Sequence, residues 1–172
     1  MRSLVMTLIG KDRPGLVGSL AAIIERHDGN WEESRMVRLA GEFAGLLQLR
    51  VPEDRGADLE AALGEIEGLT VALAKPLDEA ADGDTHLLEL DVVGQDHPGI
   101  VHKISTALAA REINVEELET EVFSAAMSAE LMFRAHARLR APKGLALHDL
   151  EAELEGIATD LMVEVRLDEL DA

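Results

Sequence analysis

The chain has 172 residues, 47% of them hydrophobic, enough to fill the core of one ordinary domain or two small ones. Thirty-four acidic against 16 basic side chains give a net charge of −18, and the bases form no run, which argues against direct contact with a nucleic acid, where clustered Lys and Arg must displace counterions. Cysteine is absent, which excludes disulfides, a thiolate nucleophile and cysteine-ligated metal sites.

From the N-terminus, residues 3 to 9 form an apolar run that suits a strand and is too short, and too soon followed by charge, for a secretory signal. No later run approaches membrane-spanning length, so a cytoplasmic protein without a membrane partner is expected. The loop GKDRPG follows at 10 to 15. After Pro14 the apolar residues fall at Leu16, Val17, Leu20, Ile23 and Ile24, a helical stripe. Proline suits a helix's first turn, where its missing N–H has no intrahelical partner. Two strands come next, the first opening at Asn30 and the second marked by Leu47, Leu49 and Val51 alternating with Gln48 and Arg50. A helix over LEAALGEI (59 to 66) and a last strand complete this half, and PLDEAADGD (76 to 84) reads as a polar linker.

The second half repeats the first. Sliding the chain by 84 residues aligns Leu4 to Glu33 with Leu88 to Glu117 and finds nine identities in thirty positions, among them Gly10/Gly94, Asp12/Asp96, Pro14/Pro98, Gly15/Gly99 and Asn30/Asn114. Leu88, Leu90 and Val92 alternate with Glu89 and Asp91 before a second loop, GQDHPG at 94 to 99, and Ile100, Val101, Ile104, Ala107 and Leu108 repeat the helical stripe. LEAELEGI at 150 to 157 echoes LEAALGEI at an offset of 91, so about seven extra residues lie between the two helices of the second copy, in a hairpin or loop. Val163, Val165 and Leu167 face one way on the last strand, with Met162, Glu164 and Arg166 facing the other. The order is β-α-β-β-α-β twice: an α+β protein of two tandem ferredoxin-like units, at 1–75 and 85–172, each an antiparallel sheet with helices on one face.

The duplicated loop is where chemistry is expected. Gly10 and Gly94 suit a close backbone approach, Asp12 and Asp96 stand just outside the helix start, and Gly15 and Gly99 keep the first turn bare. Free backbone N–H groups at a positive helix end favour a carboxylate. A simple cap, with Asp capping, Pro starting and Gly packing, fits the same residues. Asn30 and Asn114, at the start of a strand expected to lie beside the first, can accept from an ammonium and donate to a carboxylate, which suits an α-amino acid; a turn role fits them equally.

Catalysis finds little support. The spacing from Gly10 to Gly15 mimics a P-loop, but Leu16-Val17 and Ile100-Val101 replace the Lys-Ser/Thr that would hold phosphate and magnesium, so no nucleotide cofactor is expected. The six histidines show no metal signature, and none is expected to hold a metal. Glu32-Glu33 and Glu116-Glu117 are consecutive, so in regular strands they point to opposite faces and cannot form an acid/base pair.

The paired D-x-P-G loops, the Asn about sixteen residues after each, and the β-α-β-β-α-β frame together resemble the ACT domain, an amino-acid-sensing regulatory module, over almost the whole chain. NWEESRMVRLAGEFAGLLQL, with Ser34 and Arg35 after the Asn and then Gly41, Glu42 and Phe43, is most similar to the glycine cleavage system transcriptional repressors. The resemblance implies a ligand, glycine or a similar small amino acid, at Asp12, Arg13, Gly15 and Asn30 and at Asp96, His97, Gly99 and Asn114, often across a domain interface. It also implies a non-catalytic repressor acting through a protein partner, a transcriptional activator, with room for self-association into a homo-oligomer. Trp31 stands where an aliphatic residue is usual, and Arg13 against His97 makes the two loops chemically unequal.

Overall fold

The computed structural model describes residues 1–76, 85–126 and 129–170. Apart from Pro76, the expected linker at 76–84 lies outside the described residues. Chain contacts divide the protein into two compact units, Met1–Glu79 and Ala80–Ala172.

The first unit runs β1 (Arg2–Lys11), α1 (Leu16–Arg26), β2 (Asn30–Leu39), β3 (Glu42–Val51), α2 (Gly56–Gly64) and β4 (Leu69–Ala74). The second runs β5 (Thr85–Gln95), α3 (Ile100–Ala110), β6 (Asn114–Ser124), β7 (Leu131–Pro142), α4 (Leu147–Leu161) and β8 (Val163–Glu169). Each unit is a four-stranded antiparallel sheet, ordered β2-β3-β1-β4 and β6-β7-β5-β8. The expected β-α-β-β-α-β order is therefore present twice. Among the described residues no helix is long and apolar enough to cross a membrane.

Alternation along the strands sets the cores. Leu4, Met6 and Leu8 on β1 and Leu47, Leu49 and Val51 on β3 are buried against Leu16, Leu20, Ile23 and Ile24 of α1 and Leu59 and Leu63 of α2. Leu88, Leu90 and Val92 meet Ile100, Ile104 and Leu108 of α3 in the same way, with Leu150 and Leu154 of α4. Val17 and Val101 depart from the expected helical stripe: they stay 45% and 43% exposed, because each lies just past the edge of the face its helix buries. Met162 also departs, ending α4 in the left-handed region with φ 52° before β8 begins.

The extra residues of the second copy are located by register. Asn30 faces Arg50 and Asn114 faces Arg140, separations of 20 and 26 residues, so six of the seven lie in the β6–β7 hairpin and one in the loop before α4. The shorter hairpin closes through Ala40 and Gly41, at φ 50° and 89°, the paired left-handed geometry of a tight two-residue turn.

Candidate functional site

The two glycines of each loop have distinct tasks. A Cβ on Gly10 would run into the Gly68 carbonyl oxygen, and one on Gly94 would come within 2.6 Å of Val163 Cα, so these positions let the neighbouring chain pass closely. Gly15 and Gly99 have open space around them but φ values of 84° and 101°. That left-handed turn is what ends the loop and releases the helix at Leu16 and Ile100. The expectation that Pro14 occupies the first helical turn is thus corrected: it precedes the cap residue Gly15. Capping by Asp is corrected as well, since neither helix has a side-chain cap hydrogen bond.

Asp12 instead faces the β2–β3 hairpin. Arg38 Nε donates to its Oδ2 at 2.8 Å, and the Asp12 backbone N–H donates to the Gly41 carbonyl at 3.0 Å. Arg38 was not signalled by the sequence, because it lies 26 residues away and its approach depends on the strand order. Asp96 repeats the backbone half of this arrangement, donating to the Leu131 carbonyl at 2.9 Å. Among the described residues the longer second hairpin supplies no counterpart to Arg38 at the Asp96 carboxylate. Arg13 is exposed and makes no ion pair among the described residues.

His97 behaves differently from Arg13. Its Nε2 lies 2.7 Å from the Leu161 carbonyl at the end of α4 and its Nδ1 lies 3.1 Å from the Pro98 carbonyl. Two acceptors require two N–H donors, which only the imidazolium has. The carbonyl of Leu161 first, then that of Pro98, raises the His97 pKa above its ordinary 6.5, against a smaller opposing effect of desolvation. The second loop is tied to α4, whereas the first leaves its cation free to meet an anion.

Asn30 and Asn114 are not beside the loops of their own units. The sequence placed the second strand next to the first; in the structure β2 is an edge strand beside β3. Asn30 faces Arg50, which faces Ser3, and Asn114 faces Arg140, which faces Leu87. Each Asn is thereby level with the start of the first strand of its unit, while the loop follows the other end, eight residues or roughly 26 Å away at about 3.3 Å per residue. Asp12, Arg13 and Gly15 stand together, as do Asp96, His97 and Gly99, and each Asn stands apart.

Near each Asn the edge strand bulges, between Trp31 and Glu33 and between Val115 and Glu117. The bulge corrects the expected opposite facing of the glutamate pairs: Glu117 Oε1 lies 2.8 Å from Arg138 Nη2 while Glu116 Oε2 lies 3.5 Å from Arg138 Nε, and Glu116 also pairs with Arg140. Both carboxylates are neutralised by arginines of β7, an arrangement for holding the edge strand. Among the described residues no group of three His, Asp or Glu side chains is placed to hold a metal ion.

Under α3 the second unit has a narrow apolar cleft, lined by residues that include Leu90, Ile104, Val115, Phe133 and Ala137. In the first unit Trp31 stands for Val115 and Leu47 for Ala137. Trp31 packs half-buried against that core, with Nε1 donating to Ser34 Oγ at 3.3 Å.

The family model for the ACT domain matches residues 2–71. The first unit is an ACT domain. The second unit repeats the topology of this ACT domain strand for strand. No curated protein matches the chain. Among solved structures, an unknown protein from Galdieria sulphuraria is 28% identical, with 99% of each chain covered and a TM-score of 0.86. A candidate glycine cleavage system transcriptional repressor is 21% identical over 99% of this chain and 98% of its own, with a TM-score of 0.71. At that identity the second likeness establishes the shared tandem ACT fold.

Proposed function

We propose that the chain is a non-catalytic, cytoplasmic amino-acid sensor that represses glycine cleavage genes in response to glycine by binding a transcriptional activator. The observation that carries this reading is the first loop, where Gly15 at φ 84° opens α1 next to the exposed Arg13. The first N–H groups of a helix have no intrahelical acceptor, and together with a guanidinium they suit the α-carboxylate of a small amino acid. Asn30 lies too far from its own loop to touch the same small ligand. The site is therefore completed by an Asn from a neighbouring copy of the chain, with Asp96, Gly99 and Asn114 forming the weaker, His97-tied equivalent. The fold shared with a candidate glycine cleavage repressor supports the choice of glycine and of a transcriptional output. The net charge of −18 supports contact with a protein in place of an operator. Ligand transmits its signal by favouring the arrangement the activator prefers.

The test is thermal unfolding of the purified chain with each proteinogenic amino acid at millimolar concentration. A native-state ligand at 100 times its dissociation constant adds about 2.7 kcal/mol. Glycine is expected to raise the Tm selectively, and Asp12→Ala and Asn30→Ala to abolish the rise with the fold intact. A flat response to all of them rejects the sensor. It favours a second reading, a ligand-free ACT-type interaction module or a regulator of an amino-acid metabolic enzyme, for which the engagement of Asp12 by Arg38 and of His97 by Leu161 speaks.

A further inference from the structure

The two sheets carry opposite chemistry on the faces turned away from their helices. In the first sheet Val5, Thr7 and Ile9 of β1 lie beside Gln48, Leu46 and Ala44 of β3. Ala74, Ala72 and Thr70 of β4 flank them on one side, and Glu33, Arg35 and Val37 of β2 on the other. Two of these twelve positions are charged, both on the edge strand. Ile9, Leu46 and Val37 are 51%, 52% and 59% exposed.

Register maps the same twelve positions onto the second sheet. There β5 supplies Glu89, Asp91 and Val93, and β7 supplies Arg138, His136 and Arg134. The flanks are Asp168, Arg166 and Glu164 on β8 and Glu117, Glu119 and Glu121 on β6. Val93 is the one residue of the twelve without an ionisable group. An open antiparallel face is ordinarily polar, as this one is; the first sheet breaks that rule with the same backbone.

We propose that the outer face of the first sheet is the surface by which two copies of this chain associate, sheet against sheet about a two-fold axis. Area permits it: three strands about 4.8 Å apart with eight residue steps of about 3.3 Å, and the shorter β4 with five, make a face of about 450 Å², or about 900 Å² for the pair, the size of a weak, reversible interface. Charge favours the same face of a second copy over a charged partner. Glu33 and Arg35 neutralise each other at 3.2 Å, and at the far end Lys11 faces Glu42 in register, so the patch brings no net charge to its own mate. A charged surface laid on it would strand ions away from water. Residues 1 to 76 carry twelve acids and nine bases, whereas 85 to 170 carry seventeen and seven, so the repulsion between copies is concentrated away from this unit. A two-fold interface uses one patch twice, which requires the self-complementarity seen here. The inference stands on the sheet alone and is independent of whether glycine binds.

The experiment is light scattering on the eluting full-length chain at about 0.15 M and 1 M salt. A dimer of twice 18.6 kDa is expected, tightened by salt as the charge of each copy is screened. Leu46→Glu and Ile9→Glu are each expected to give a folded monomer by circular dichroism, with Val37→Lys at a more exposed position as the variant that folds should the other two fail. Val122→Glu, on an exposed site of β6, should leave the dimer intact. A wild-type monomer at both salts overturns the proposal, as does a dimer that survives the first-sheet variants or is lost in Val122→Glu.

Discussion

The Asp12 carboxylate is held by Arg38 Nε at 2.8 Å, an ion pair that pins the loop after β1 to the far end of β2. Arg38 is 65% exposed at its side chain, so water screens the pair and its worth falls in the range of about 0–1 kcal/mol. Arg38→Ala should shift the urea midpoint only slightly. A loss of about 3 kcal/mol would mean that the pair, and not the Asp12 N–H to Gly41 bond, holds the hairpin against the loop.

Two histidines give the second unit a pH dependence with a defined sign. The backbone acceptors of His97 raise its pKa, and the hydrogen bond that His136 Nδ1 donates to Asp91 raises that of His136, with Glu89 and Glu119 adding to it. A group whose folded pKa lies above its unfolded value stabilises fully below the unfolded value, near 6.5, and loses that contribution as pH rises through the folded pKa. Stability of the second unit should therefore decline above pH 6.5. Imidazole proton shifts followed by NMR should place both midpoints above 6.5; midpoints at or below it would contradict the hydrogen bonding described.

Glycine substitutions should separate backbone conformation from close approach. Gly15→Ala and Gly99→Ala meet no atom, so each should cost about 1–2 kcal/mol for a left-handed alanine. Gly10→Ala and Gly94→Ala drive a Cβ into the backbone of Gly68 and Val163 and should cost more. Equal costs in chemical denaturation would remove the distinction.

Filling the cleft under α3 should stabilise the second unit. Ala137→Leu restores the side chain that Leu47 supplies in the first unit, and such cavity filling commonly adds about 0.5–2 kcal/mol. A lower Tm would show that the cleft walls close too tightly to admit the added carbons.

How much of this was legible beforehand follows from the range of each interaction. The alternation of Leu47, Leu49 and Val51 and the stripe from Leu16 to Ile24 are local patterns, and they located strands and helices without reference to partners. Asn30 was misplaced because strand adjacency is non-local: nothing within β2 says that β3, not β1, is its neighbour. The bulge at Glu116 and the hold of Leu161 on His97 likewise arise only once distant segments meet. The contrast between Val5-x-Thr7-x-Ile9 and Glu89-x-Asp91-x-Val93 was visible in the repeat alignment, but its meaning required the register that gathers twelve such residues on one face.

The bulges beside Trp31 and Val115 interrupt one edge strand of each sheet, β2 and β6, within two residues of its start. An uninterrupted rim of free amides and carbonyls is a template on which further chains can stack without limit, and a bulge twists that rim out of register. A protein written twice over with the same fold has four edge strands, β2, β4, β6 and β8, and so doubles its exposure to fibre growth. Having the same irregularity at the same place in both copies means that each half carries its own brake on polymerisation.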